Sequence, residues 1–465
     1  MVVHSPLRFY GGAFGVVAPF VLLLTGVAWL GLSGAPDERG FWPVSVGALG
    51  LGLLLSRDRT RFSEEAVRGM GRPIVAIMIL AWLLAGVLGK VLAESGFVQT
   101  LVWLASESGL RGSGYVAASF LVCCIVSTAT GTSLGTILVC GPLIYPTAGA
   151  LDAEPAVLLG AILGGATFGD NISPISDTTI ASAFTQEADV AGVVRSRMKY
   201  ALIAAAMALV AYALFGGASF PTDARPPIEG TSAGLVMLIV PAGVLLLLLR
   251  GRHLLEGLFF GIALAILLGV TFALFEPSSL LTIDATSFRA SGIVLEGMER
   301  GIGASIFTLL LMGLVGPLEA SGLMDEVVAY AGKKLRSPRS AESWIVAVTS
   351  AAALVTTHST VALLTVGDFA RRAGDRFDIS RYRRANLMDM TVCIWPFLLP
   401  YMIPVILAAS TSASGEGFGL PRISMVEAGL LNFHAWSLLI VLVVAVLTGF
   451  GREPSPKLGA LVRRS

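Results

Sequence analysis

Apolar runs of eighteen or more residues recur along the whole chain, and no other feature limits its folding so severely. A run of that length crosses a bilayer as a helix, and backbone in lipid must satisfy its hydrogen bonds within the segment. Of the 465 residues, 55% are hydrophobic and 14% charged, against about 25% charged in soluble domains. The expected class is an all-α polytopic membrane protein embedded in a lipid bilayer. Full spans are expected at about 12–32, 41–55, 73–93, 155–185, 199–219, 231–249, 253–275, 303–320, 385–410 and 433–450, about ten in all. The first run, Gly12 to Leu32, is too long for a signal-peptide core and reads as a retained span. A net charge of +1 argues against a nucleic-acid partner. Cys123, Cys124, Cys140 and Cys393 lie in apolar surroundings without metal-ligand spacing, and read as small buried hydrophobes.

Two apolar segments, 114–149 and 342–370, do not fit as single spans. Each is interrupted by small hydroxyl residues, STATGTS (Ser127 to Ser133) and TTHST (Thr356 to Thr360). Each reads as a re-entrant hairpin, two half-helices meeting at a polar tip, which is tolerated at depth only where protein or water covers it. Lysine and arginine set the orientation. With the N-terminus in the cytoplasm and each hairpin returning to its own side, cytoplasmic segments hold 25 of the 32 basic residues, five of them in 56–72 and six in 371–384. Both termini are then cytoplasmic, at the cell (inner) membrane.

The chain also repeats itself. Sliding it by 226 positions places Ser95-Gly96 on Ser321-Gly322, Thr130 on Thr356, Ser133 on Ser359, Gly141 on Gly367 and Pro174 on Pro400. Residues 1–220 and 221–465 then form two repeats, each with scaffold spans, a hairpin and a broken span at 155–185 or 385–410. An odd number of crossings per repeat inverts the second one. Inverted repeats with broken helices are typical of secondary transporters, with the site near the midplane between the repeats.

The stretch GATFGDNISPISDTT, Gly165 to Thr179, places two acids in the middle of an apolar span. An acid at the centre of a membrane helix costs roughly 2.5–3.5 kcal/mol and is functional by default. Gly169 can end one half-helix and Ser173-Pro174 can start another, with Pro at the first helical position. Such a break exposes free carbonyls on one side and free N–H groups on the other. Carboxylates and carbonyls suit a hard cation such as Na+. Asp170, Asn171 and Asp177 are the expected Na+ ligands, with Ser173, Ser176 and Thr178 beside them in cation and proton binding. Ser173, Ser176 and Asp177 are also good N-cap types, which would account for one acid but not for two. Hydroxyls of the tips are the expected further contacts: Ser127, Thr128, Thr130, Thr132 and Ser133 in the first, and Thr356, Thr357, His358 and Ser359 in the second. His358 is either a titrating group at depth or a hydrogen-bonded filler. Asp389 is the acidic candidate of the second repeat, either a site residue or the partner of Arg384 in a snorkelling ion pair.

GATFGDNISPISDTT, preceded by TGTSLGT (Thr130 to Thr136), resembles the signature region of the NhaC family of Na+/H+ antiporters. The resemblance spans about residues 10–450 and is most specific in the first half. In the second half Asp389 keeps the acidic position, whereas the family's Trp-Asn is replaced by Trp395-Pro396. The family is placed with the ion-transporter superfamily, similar in fold to dicarboxylate/sodium symporters. That resemblance implies a homodimer built on scaffold spans and elevator-like movement.

The expected function is Na+/H+ antiport by alternating access. A carboxyl group where water is scarce keeps its proton more readily, and a bound Na+ favours the carboxylate, so the two ions compete for the same acids. The alternative is a sodium-coupled transporter or exchanger of a small organic acid or amino acid, held by the Ser- and Thr-rich tips. A channel or scaffold gives no reason for two facing hairpins. No Ser/His/Asp set, zinc-protease run or phosphate loop points to an enzyme, and no cofactor is expected beyond the transported Na+ and H+.

Overall fold

The computed structural model describes residues 6–32, 38–217, 231–284 and 289–452. The expected boundary between repeats at 220/221 and most of the basic tail after 450 lie outside the described residues. The protein is an α-helical membrane protein. Seven of the described helical segments are long and apolar enough to cross a bilayer, and four shorter apolar helices join them.

The chain begins with α1 (Ala13–Leu32), α2 (Phe41–Leu55), the amphipathic α3 (Arg59–Met70), α4 (Pro73–Glu94) and α5 (Phe97–Glu107). A helix pair follows, α6 (Gly112–Thr130) and α7 (Ser133–Ile144), then α8 (Pro155–Ile172), α9 (Asp177–Thr185) and α10 (Val190–Phe215). After 230 come α11 (Ile239–Leu249), α12 (Leu254–Thr271), a small hairpin of β1 (Thr282–Asp284) and β2 (Arg289–Ser291), α13 (Ile293–Ala320) and α14 (Leu323–Lys334). A second helix pair, α15 (Pro338–Thr356) and α16 (Ser359–Arg376), precedes α17 (Arg381–Val392), α18 (Ile403–Thr411), α19 (Met425–Leu430) and α20 (Phe433–Thr448).

The full span expected at 231–249 is a shorter apolar helix, Ile239–Leu249, behind a 3-10 turn at Leu235–Leu238, and the one expected at 253–275 ends at Thr271. Two other spans start earlier than expected, for one reason. The helices expected at 199–219 and from 303 begin at Val190 and Ile293. Their N-terminal parts carry Arg195, Arg197 and Lys199, and Glu296, Glu299 and Arg300, charges that end an apolar run without ending a helix. Asp189 starts α10 by accepting the Gly192 N–H at 2.6 Å. The Tyr382 hydroxyl, first, and that N–H hold the Asp189 carboxyl below its usual range.

Small residues set the packing. α13 lies along α4, where a Cβ on Gly86 would come 2.1 Å from the Gly297 carbonyl oxygen. α6 lies along α8, where a Cβ on Gly169 would come 2.3 Å from the Ser127 backbone carbon. These contacts put backbone against backbone, as small-residue motifs do in membranes. Gly169→Ala is expected to cost about 1–3 kcal/mol through overpacking, read as a lowered melting temperature of the purified protein. Gly114→Ala, where an added Cβ meets nothing within 4 Å, is the matched control and leaves it unchanged.

The two tips share one backbone conformation at positions 226 apart. α6 ends on Gly131 at φ 68° and α15 on Thr357 at φ 52°, both left-handed. Thr132 and His358 then open α7 and α16 at nearly the same extended angles, φ −138° and −134°. A β-branched residue is strained in the left-handed region, so Thr357 is held there by its surroundings.

Candidate functional site

The break between α8 and α9 is built by proline. Pro174 has no N–H, and its ring would crowd the carbonyl four residues back, so α8 cannot continue. Ser173 before it is extended, at φ −67° and ψ 129°. α8 runs to Ile172 and α9 restarts at Asp177 behind the N-cap Ser176. Gly169 and Pro174, the expected boundaries, therefore each lie three residues early. Three of the carbonyls at the end of α8 are already engaged within the protein. The Gly169 carbonyl accepts the Ser173 N–H at 2.8 Å. The Asp170 carbonyl accepts the Thr178 hydroxyl at 3.2 Å, and the Asn171 carbonyl accepts Arg197 at 2.5 Å.

What the break does present is a pair of carboxylates. Asp170 is buried, its Oδ2 accepting from Ser133 at 3.1 Å and its Oδ1 from Ser176 at 2.7 Å. Ser176 and Thr178 lie 3.0 Å apart through their hydroxyls. Asp177 opens α9, accepts the Thr178 N–H at 3.0 Å, and takes the Thr360 hydroxyl from the second tip at 2.5 Å. Both acids line one cavity of about 310 Å³, with Thr132 and Ser133 of the first tip and Thr357, His358, Ser359 and Thr360 of the second. Ile74 and Met78 of α4 and Phe397 and Ile403 beside the second break supply apolar wall. The N-terminal ends of α7, α9, α16 and α18 all reach this cavity, through Ser133, Asp177, Ser359 and Ile403. Each contributes a partial positive charge.

Several expected contacts lie elsewhere. Asn171 follows Asp170 on a helix and is turned about 100° from it; its amide donates to Asp389 at 3.2 Å, away from Asp177. Serine and threonine hydroxyls near helix ends bond back to their own backbone or to a packed neighbour. Thr130 donates to the Val126 carbonyl at 2.8 Å, Thr356 to that of Ala352 at 2.9 Å, and Ser127 to that of Ala166 at 2.8 Å. Thr128 Oγ1 is buried with no partner among the described residues. Ser173 Oγ turns toward the Ile175 N–H at 3.4 Å, and the Thr357 hydroxyl toward the Met312 sulfur at 3.6 Å. Ser359 donates to the Val392 carbonyl at the end of α17, tying the second tip to the second break. His358 borders the cavity, and its Nδ1 has no partner among the described residues.

Asp389 does not pair with Arg384, whose guanidinium goes to Asp375 at 2.6 Å. The two stand five residues apart, beyond the i,i+3 and i,i+4 spacings at which helical side chains meet, and Asp389 faces inward to α10. There Arg197 meets its Oδ2 at 2.8 Å, with both side chains fully buried. Arg197 also donates to Asn386 at 3.0 Å, to Thr179 at 3.1 Å and to Ser182 at 3.3 Å. Ser182 donates to Asp389 Oδ2 at 2.9 Å. Arg197, Thr179, Ser182, Asn386 and Thr360 also belong to this centre and are not among the site residues expected from the sequence. Thr360→Val removes the donor from Asp177. Loss of one hydrogen bond to a charged group, about 1.5 kcal/mol, is expected to raise the apparent KM for Na+ by about tenfold, measured as Na+-dependent flux in proteoliposomes with little change at saturating Na+.

Residues 61–217 match the Na+/H+ antiporter family, a segment that contains the first tip, the first break and Arg197. A malate-2H+/Na+-lactate antiporter of Bacillus subtilis (strain 168) is 26% identical over 311 residues, covering 62% of this chain. The chain spans 65% of that relative's length. The Na+/H+ antiporter NhaC of the same organism is 25% identical over 410 residues, 83% of this chain and 86% of the relative. Among solved structures, the YdaH transporter of Alcanivorax borkumensis aligns over 94% of this chain and 98% of its own, with 14% identity and a TM-score of 0.40.

Proposed function

We propose, from the match of residues 61–217 to the Na+/H+ antiporter family and the likeness to an NhaC antiporter, that the chain exchanges Na+ for H+ at the cavity between the two tips. The observation that carries this reading is that Asp170 and Asp177, from opposite sides of one helix break, line the same cavity. Na+ binds oxygen, and the two carboxylates with the hydroxyls of Ser133, Ser176 and Thr360 form an oxygen-rich corner. The proton takes the place of Na+ on the same carboxylates. Each ion excludes the other, and a site that opens to one side at a time then exchanges them. Both tips contribute to this corner, so movement of the tips with the broken helices against α4 and α13 would carry it between the two sides in an elevator-like step. Both termini lie on the cytoplasmic side in this reading, at the inner membrane.

The test is proton flux driven by Na+ in proteoliposomes. Asp170→Asn abolishes it and Asp177→Asn lowers it if the reading holds, and full flux in both variants ends it.

A second reading has its own support. At about 30 Å³ per water, a cavity of about 310 Å³ has room well beyond one ion. Four helix N-termini at its edge favour a negative group, and the relative named as exchanging malate and lactate shows where that could lead. Here a small carboxylate shares the cavity with Na+. Melting temperature with Na+ alone and with Na+ plus malate or lactate separates the readings. Added stabilisation by one acid, present only with Na+, favours exchange of an organic acid.

A further inference from the structure

The antiport reading uses Asp170 and Asp177 and leaves a third membrane-depth acid, Asp389, unexplained. Neither it nor Arg197 lines the cavity. Around the Arg197 guanidinium lie the Asp389 carboxylate, the Asn171 carbonyl and the side-chain oxygens of Thr179, Ser182 and Asn386, between 2.5 and 3.3 Å away. These oxygens come from the last turn of α8 and from the helices α9 and α17. Asn171 Oδ1, in a fully buried residue of the same cluster, has no donor among the described residues. An acidic, oxygen-lined cage at membrane depth with one acceptor left over is the environment of a bound cation, and here the cation is covalently part of the chain.

We infer that the Asp389 cage is a second cation site whose occupant is the chain's own Arg197, so that removal of the guanidinium converts it into a site for a mobile monovalent cation. This inference rests on the antiport reading only for its functional meaning. Asp389 then neither carries a proton nor binds Na+ during exchange, and the coupling is set by Asp170 and Asp177 alone. The other charged groups packed near α17 do not supply the missing charge. Glu342 of α15 is matched by Arg383 and Arg452, and Arg384 by Asp375. Asp177 and His358 face the cavity instead.

The experiment is the melting temperature of the purified full chain in rising NaCl, at constant ionic strength with N-methylglucamine chloride. Arg197→Gln is expected to melt below the wild type without Na+ and to gain several degrees more from Na+ than the wild type does, through an added Na+-dependent step. Arg197→Gln/Asp389→Asn loses that additional gain, because the cage is neutral, and Arg197→Lys behaves as the wild type. Asp389→Asn alone leaves the guanidinium uncountered near Asp170 and raises the apparent KM for Na+ at least several-fold. Equal Na+ responses in the single and double glutamine variants overturn the inference. So does an Arg197→Gln protein that stays unfolded even in high Na+ while the double variant folds. The wild type's own Na+ response and flux report on the antiport reading separately, so either idea can fail without the other.

Discussion

Asparagine in place of Asp170 stops Na+-dependent proton movement down to the background of empty vesicles, a fall on the order of 100-fold or more. The amide keeps the shape of the carboxyl and one oxygen for the hydroxyls of Ser133 and Ser176, which now hold Asp170 at 3.1 and 2.7 Å. The fold is therefore retained and the melting temperature changes little. The chemistry does not survive, because an amide neither takes up a proton nor supplies the negative charge that draws Na+ out of water. Asp177→Asn has the same direction with a smaller effect, since Asp177 is exposed to the cavity and water can substitute in part for its charge. Asp170→Glu retains the charge on a longer arm and recovers part of the flux. Size-exclusion profiles and melting curves, run beside the flux assay, distinguish lost chemistry from lost fold.

The second large effect is on stability, at a place remote from the cavity. Glu342 of α15 is fully buried, held by Arg383 of α17 at 3.1 Å through both oxygens and by Arg452, just past α20, at 3.0 and 2.8 Å. Arg383 also bonds the Tyr200 hydroxyl of α10 at 2.7 Å and the carbonyls of Ala445 and Phe450. One carboxylate thus joins the second helix pair, the second broken helix and the end of α20. Removing one partner of a buried ion pair costs about 3–5 kcal/mol, because the other charge stays buried and uncompensated. Glu342→Ala is expected to leave little folded protein in detergent, and Glu342→Gln to lower the melting temperature less. Glu342→Leu combined with Arg383→Met recovers part of the loss, since no fully buried charge is stranded and the partly exposed Arg452 can turn to water.

The acids of the first break were legible because Asp170 and Asp177 stand inside an otherwise apolar span, where each costs free energy to place. The break itself was legible from Ser173-Pro174, but its boundaries were not. A helix runs up to the turn before a proline, and that carried α8 past Gly169 to Ile172. Arg197 was hidden by its neighbours. Between Arg195 and Lys199 it looks like one more cytoplasmic charge, and only the helix start at Asp189 shows that it is a full two turns inside α10. The spacing Asp189-Val-Ala-Gly-Val-Val was the signal available, an N-cap followed by apolar residues. The tip hydroxyls misled in a different way. Thr130 and Thr356 bond back within their own helices, and sequence does not tell such a hydroxyl from one that faces a cavity. Thr360 reaches Asp177 from the other half of the chain, a contact set by tertiary packing alone.

Competition between Na+ and H+ for one pair of carboxylates is tested most directly by the apparent KM for Na+ as a function of pH in proteoliposomes. If the two ions share the site, KM rises as pH falls, by about tenfold per pH unit on the acid limb for one competing proton, while the maximal rate at saturating Na+ stays nearly constant. A KM for Na+ that does not change with pH, with only the maximal rate responding, would mean that the proton and Na+ bind apart, and that Asp170 and Asp177 do not exchange one for the other.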